Sequence, residues 1–95
     1  MQELFQSIKN TISYIHHNDN NSIHIGYGID NNYARCCASS IASFCFNNPT
    51  KNFNFHIMTN DLSTTNKKQF EQLAQLYSVN IYIYEINIDT LAKLP

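Results

Sequence analysis

The stretch His24-Ile25-Gly26-Tyr27-Gly28-Ile29-Asp30-Asn31-Asn32-Tyr33 decides how this chain folds. With Ile23 before it, apolar residues take every second position, Ile23, Ile25, Tyr27 and Ile29, which predicts a β-strand from Ser22 to Ile29 with one buried face. Gly26 and Gly28 fall on the opposite face, where a strand glycine often marks close approach by backbone or ligand. Asp30-Asn31-Asn32 breaks the alternation and supplies residue types that cap helices. From Tyr33 to Asn47 the period becomes helical, with Cys37, Ile41, Phe44 and Cys45 along one stripe. Ala34, Ala38 and Ala42 repeat every four residues, which lets a helix backbone pack close to a sheet.

Downstream, the same alternation of elements continues. Asn48-Pro49-Thr50-Lys51 stops the helix. Phe53, Phe55 and Ile57 alternate through a second strand ending near Thr59. Ser63 is placed to cap a second helix that buries Phe70, Leu73, Ala74 and Tyr77. Val79 to Ile86 reads as a third strand, apolar on both faces, and Ile88 to Pro95 as a turn or short helix. Strand, helix, strand, helix, strand at this spacing predicts an α/β fold, a Rossmann-like β-α-β-α-β unit with parallel strands. With right-handed crossovers and spatial order third-second-first, both helices cover one face of the sheet. The other face is then bare, which predicts that Tyr82, Tyr84 and Ile86 are more exposed than a buried strand allows. Any cover for it, apart from the first helix below, is expected from chain outside this sequence.

Upstream, Leu4, Phe5, Ile8, Ile12 and Ile15 recur at helical spacing and predict an amphipathic helix from Gln2 to Tyr14. It could cover part of the bare face. His16 to Asn21 reads as a polar linker. Neighbouring residues of an extended chain point in opposite directions, so His16 and His17 read as two solvated histidines rather than a metal pair. The sequence thus divides into a helix and linker, residues 1–21, and an α/β part, residues 22–95.

Composition narrows the partners. The 95 residues are 43% hydrophobic and 13% aromatic, which excludes a disordered segment. A chain of this length buries only roughly 60–65% of its unfolded surface and is marginally stable alone. Asn occurs 14 times, against six Lys and Arg and seven Asp and Glu together. Asn is poor in helices and strands, so the excess reads as compositional bias. The net charge is −1 and the longest basic run is Lys67-Lys68, which argues against a nucleic-acid partner. No stretch approaches the roughly 18 apolar residues of a membrane span, and Met1 to Phe5 lacks the features of a signal peptide. A cytoplasmic protein is expected. Cys36, Cys37 and Cys45 lack zinc-ligand spacing and read as reduced, helix-packed thiols.

In an open parallel sheet, ligands bind beyond the carboxyl ends of the strands. The loops there are Gly28 to Tyr33, Thr59 to Ser63 and Asn87 to Thr90. The first offers a carboxylate (Asp30), amides (Asn31, Asn32), a ring (Tyr33) and a helix N-terminus that favours anions. A nucleotide needs such parts: a ring to stack on the base, a carboxylate to accept a pyrimidine N–H, amides for ribose or phosphate. Equally, Asp30 and Asn32 could serve only as helix caps while Tyr33 only packs. Gly26-Tyr27-Gly28-Ile29-Asp30-Asn31 also begins like the dinucleotide fingerprint G-x-G-x-x-G, with Asp61 as a candidate ribose-binding acid. Asn31 replaces the third glycine, and the bulky Tyr33 follows where helix and strand must approach.

These residues resemble the opening strand and loop of family 8 glycosyltransferases. The resemblance continues in order through Ser39-Ser40-Ile41-Ala42-Ser43, Asn47-Asn48-Pro49, Phe53-Asn54-Phe55-His56-Ile57-Met58-Thr59-Asn60-Asp61, Leu73-Ala74 and Ile86-Asn87-Ile88-Asp89-Thr90-Leu91-Ala92-Lys93-Leu94-Pro95. It is strongest to the lipopolysaccharide core glucosyl- and galactosyltransferases and covers roughly residues 22 to 95. It implies a GT-A fold whose first half binds UDP, and retaining transfer of glucose or galactose from a UDP-sugar to the lipopolysaccharide core, at the inner face of the inner membrane. By the same resemblance, Asp30 and Tyr33 hold the uracil, Gly28 and Ile29 contribute backbone contacts, and Asn32 lies near the nucleotide. Asn31 stands where many members have Asp. The family binds Mn²⁺ or Mg²⁺ through Asp-x-Asp and a later His. This sequence contains no Asp-x-Asp, so the resemblance implies an N-terminal part that stops before the metal and acceptor sites and is inactive alone. The alternatives are a non-catalytic remnant that binds UDP and, more remotely, a small dinucleotide-binding domain.

Overall fold

A computed structural model describes residues 8–86. Four strands form one sheet: β1 (Ile8–Tyr14), β2 (Ile23–Gly28), β3 (Phe53–Thr59) and β4 (Asn80–Ile86). A 3₁₀ turn, Asn31–Tyr33, leads into α1 (Ala34–Asn47), and α2 (Thr64–Tyr77) joins β3 to β4. The spatial order is β1-β4-β3-β2. β2, β3 and β4 are parallel neighbours, paired Ile25 with Phe55 and Phe55 with Ile81. The α/β reading and the order of the parallel strands therefore hold.

Both helices pack on the same face. Ala34, Cys37, Ile41 and Cys45 of α1 and Phe70 and Ala74 of α2 form one core with Phe53, Phe55, Ile57, Ile81 and Ile83. Phe44 lies at the rim of this core, its ring 6.1 Å from that of Phe53. Ser63 caps α2, accepting the Asn66 N–H at 3.1 Å, and α2 ends at Ser78 in the left-handed conformation, φ 54°. Lys67 of α2 and Glu85 of β4 form an ion pair at 2.9 Å.

The predicted helix Gln2 to Tyr14 is corrected where it can be seen. Ile8–Tyr14 is a strand, antiparallel to β4, with Ile12 opposite Ile83 and Tyr14 opposite Ile81; residues 2–7 lie outside the described residues. Ile8 and Ile12 satisfy a period of two as well as a helical one, whereas Ile15 fits only the helical period and Tyr14 only the period of two. Asn10, Thr11 and Ser13 are weak helix formers, and β-branched residues fit a pleated surface. Pairing with the open edge of β4 decides between the two. Ile12 and Tyr14 then pack against the helix-side core, and the Tyr14 hydroxyl donates to the Lys67 carbonyl at 3.4 Å. The stretch therefore extends the sheet and does not cover its bare face. The turn or helix expected over Ile88 to Pro95 lies outside the described residues.

Among the described residues no helix lies on the second face. A Cβ at Gly26 or Gly28 would meet nothing within 4 Å. His24, His56, Tyr82 and Tyr84 form a stacked row across this face. A ring nitrogen of His56 lies 2.9 Å from one of His24, and the other lies 2.7 Å from the Tyr84 hydroxyl. Tyr82 and Tyr84 are half-buried, but Ile86 is only 1% exposed, which corrects its expected exposure.

The linker from β1 to β2 crosses the sheet at the amino ends of β3 and β4, and two buried asparagines hold it. Asn80 Oδ1 accepts the N–H groups of His16 and His17 at 2.7 and 3.1 Å, while Asn80 Nδ2 donates to the His17 carbonyl and to Asn54 Oδ1. Asn54 Nδ2 in turn donates to Ser22 Oγ. A ring nitrogen of His17 reaches the Phe53 carbonyl at 2.9 Å. Two expectations change here. His17 is bound rather than merely solvated, and part of the asparagine excess is structural, because a buried amide both accepts and donates.

Candidate functional site

The Gly28–Tyr33 loop sits at the carboxyl end of β2, anchored by the Ile29 N–H donating to the Met58 carbonyl at 3.0 Å. The Ile29 amide is therefore already paired within the sheet. Asp30 is extended, and its Oδ1 accepts the N–H groups of Asn32 and Tyr33 at 2.9 and 3.2 Å. Asp30 is thus a helix cap, as the purely structural alternative requires. Only one carboxylate oxygen is used: among the described residues Oδ2 takes no hydrogen bond. Tyr33 does not follow that alternative. It is 62% exposed, so its ring presents an open face instead of packing. Asn32 is exposed next to it.

Asn31, whose role the resemblance leaves open, bridges two loops. Its Oδ1 accepts the Ser63 N–H at 2.9 Å and an Asn66 Nδ2–H at 2.7 Å. Sequence reasoning missed this link, since separations of 32 and 35 residues carry no local signal. Only the pairing of β2 with β3 brings the two loops side by side. In the second loop, Thr59 is buried and its hydroxyl donates to the Asp61 carbonyl at 3.4 Å. The third loop, Asn87 to Thr90, lies outside the described residues.

The structure thus brings Gly28, Ile29, Asp30, Asn32 and Tyr33 together in one exposed loop. Arg35 follows in the first turn of α1, also exposed. The dinucleotide alternative fits less well, because Asn31 stands where the third glycine would let helix and strand approach. No group of three His, Cys, Asp or Glu able to hold a metal ion occurs among the described residues. The described residues therefore do not fit the divalent cation that the resemblance implies. Among the described residues, two concavities lie elsewhere. One, of about 380 Å³, is lined by Cys45, Phe46, Pro49, Lys51, Leu76 and Tyr77 at the carboxyl ends of the helices. The other, of about 390 Å³, lies along α1 between Ser40 and Asn48. Nucleotide chemistry points to the Asp30 loop, since neither concavity combines a carboxylate with an open ring.

The model of glycosyl transferase family 8 matches residues 24–94, the strand, loop and helix just described included. The chain belongs to this family. A lipopolysaccharide 1,3-galactosyltransferase of Salmonella typhimurium is 37% identical over 83 residues, 87% of this chain and 25% of that protein. The lipopolysaccharide glucosyltransferase WaaO of Escherichia coli K12 is 36% identical over 101 residues, all of this chain and 30% of that one. A lipopolysaccharide 1,2-glucosyltransferase of Escherichia coli is 36% identical over 74 residues, 78% of this chain and 22% of that one. The family 8 chain thus spans between about a fifth and a third of the length of these relatives. No solved structure matches it. No helix among the described residues is long and apolar enough to cross a membrane.

Proposed function

We propose that this chain is the nucleotide-binding part of a retaining hexosyltransferase that moves glucose or galactose from a UDP-sugar to the lipopolysaccharide core at the cytoplasmic face of the inner membrane. The observation that carries the reading is the Asp30–Tyr33 pair: one carboxylate oxygen is fixed by two backbone N–H groups, the other takes no hydrogen bond among the described residues, and an open ring lies three residues on. That second oxygen accepts the uracil N3–H and the ring of Tyr33 stacks on the base. Gly28 and the Ile29 carbonyl supply backbone contacts, and Asn32 lies beside the ribose. Family membership and the names of the relatives support a sugar nucleotide as donor and lipopolysaccharide as acceptor. Both donor sugars stay in the proposal, since the relatives' names include both.

Calorimetric titration with UDP tests the site. Asp30→Asn keeps an oxygen for the cap but puts an amide donor where the uracil N–H needs an acceptor. It should leave the melting temperature nearly unchanged and weaken UDP about tenfold or more, the scale of a hydrogen bond to a charged group. Tyr33→Ala should weaken UDP by a similar factor through lost stacking. UDP affinity indifferent to both substitutions would remove the Asp30 loop from consideration.

A further inference from the structure

The geometry points to Asn31 as a positioning residue: we infer that it fixes the Gly28–Tyr33 loop against the amino end of α2, and thereby sets the affinity of the uridine site. The inference rests on the uridine reading above, but its structural half stands apart from it. Asp30 holds the loop from within, through Asn32 and Tyr33 N–H. Nothing in that cap fixes where the loop sits relative to the neighbouring strand's loop. Asn31 does so. Its single oxygen accepts from the backbone of Ser63 and the side chain of Asn66. Ser63 also accepts the Asn66 N–H through its hydroxyl, so Asn31, Ser63 and Asn66 form a closed set of three. Asn31 is flanked by Asp30 and lies two residues before Tyr33. Releasing its side chain frees the backbone that aims both uridine contacts, although Asn31 touches no base itself. A site held to well under an ångström loses affinity when its support loosens.

The set has a donor side and an acceptor side. Ser63 N–H and Asn66 Nδ2 donate, and Asn31 only accepts. A carboxylate in its place accepts both bonds, so Asn31→Asp is the conservative variant and Asn31→Ala the disruptive one. Asn66→Ala removes one donor while the Ser63 N–H remains.

The test combines UDP titration with amide hydrogen exchange on the whole 95-residue chain. Asn31→Ala should weaken UDP about tenfold, the scale of two neutral hydrogen bonds, and speed exchange at the Asn32 and Tyr33 amides. Asn31→Asp should restore affinity to within about threefold and restore slow exchange. Asn66→Ala should fall between, and the double variant Asn31→Ala, Asn66→Ala should be no worse than Asn31→Ala alone. Unchanged UDP affinity in Asn31→Ala, in a chain whose wild type binds UDP, overturns the inference. If wild type binds no UDP, the uridine reading fails by itself. Faster exchange at Asn32 and Tyr33 in Asn31→Ala then still upholds the clamp, and unchanged exchange overturns it.

Discussion

Asn80 donates through Nδ2 to Asn54 Oδ1 at 2.7 Å, with both side chains buried at the amino ends of β3 and β4. The bond joins two parallel strands through their side chains and hands the remaining Asn80 groups to the β1–β2 linker. Both side-chain polar atoms of Asn80 are satisfied. Removing it would strand two N–H groups, a carbonyl and the Asn54 oxygen. Asn80→Ala should therefore cost about 3 kcal/mol, since each orphaned buried group costs roughly 1–3 kcal/mol and the site can partly hydrate. Asn80→Asp should do little better, because its second oxygen faces two acceptors. Urea denaturation measures both; a loss below about 0.5 kcal/mol in either would show that the linker is held by other means.

The row of rings on the helix-free face makes stability depend on pH. Burial, and secondarily the charge of His24, hold the His56 pKa below its ordinary value near 6.5. The groups that face it are His24, Tyr82 and Tyr84. A lowered histidine pKa means that the unfolded chain binds more protons in that window, so this contribution is present above about pH 6.5 and is lost as pH falls through the folded value. Melting temperatures from pH 8 to pH 5 should decline, and His56→Gln should flatten the slope. A slope equally steep in His56→Gln would assign the effect to another group.

The three thiols should separate by reactivity. Cys36 is exposed on α1, whereas Cys37 and Cys45 are buried in the core. Burial pushes the Cys37 thiol up to about 12 and raises that of Cys45 as well. The thiolate is the reactive form. Iodoacetamide at pH 8 should therefore modify one thiol in the native chain and all three in denaturant, as mass spectrometry would read out. Rapid modification at Cys37 would mean that α1 does not pack as described.

Much of the fold was legible because alternation and helical periodicity are local. Ser22 to Ile29, Phe53 to Thr59 and the α2 face of Phe70, Leu73, Ala74 and Tyr77 each declare themselves within one element. The first stretch misled because Ile8 and Ile12 suit both periods, and Ile15 favoured the helical one. The choice depended on β4, some 70 residues away, whose open edge needed a partner. The candidate loop was legible to the same depth. Asp30 and Tyr33 stand together in sequence, so their loop could be read directly. That Asp30 would spend one oxygen on capping, and that Asn31 would turn toward Ser63 and Asn66, depends on which loops the sheet makes neighbours. Asn80 and Asn54 escaped notice for a related reason: composition cannot distinguish a buried amide from a solvated one.

Expressed by itself, the chain should bind uridine nucleotide yet transfer no hexose. Departure of UDP places negative charge on the diphosphate, and preorganised positive charge there is usually the largest catalytic contribution. The sequence has no Asp-x-Asp, and no cation-holding cluster occurs among the described residues. Replacing the matching quarter of the Salmonella typhimurium 1,3-galactosyltransferase with this chain should restore transfer to lipopolysaccharide. In that chimera, Asp30→Asn should raise KM for the donor about tenfold or more. Turnover by the isolated chain would demand a catalytic site not described above.

The central claim is that uridine sits between the Asp30 carboxylate and the Tyr33 ring. Its most direct test is the nuclear Overhauser spectrum of the chain saturated with UDP. Cross-peaks are expected from the Tyr33 ring protons to uracil H5 and H6, with amide shifts confined to residues 28–33 and their Ser63 and Asn66 neighbours, and none of these with ADP or NAD. Cross-peaks with NAD instead, or UDP contacts centred on another surface such as the Phe46–Leu76 concavity, would contradict it.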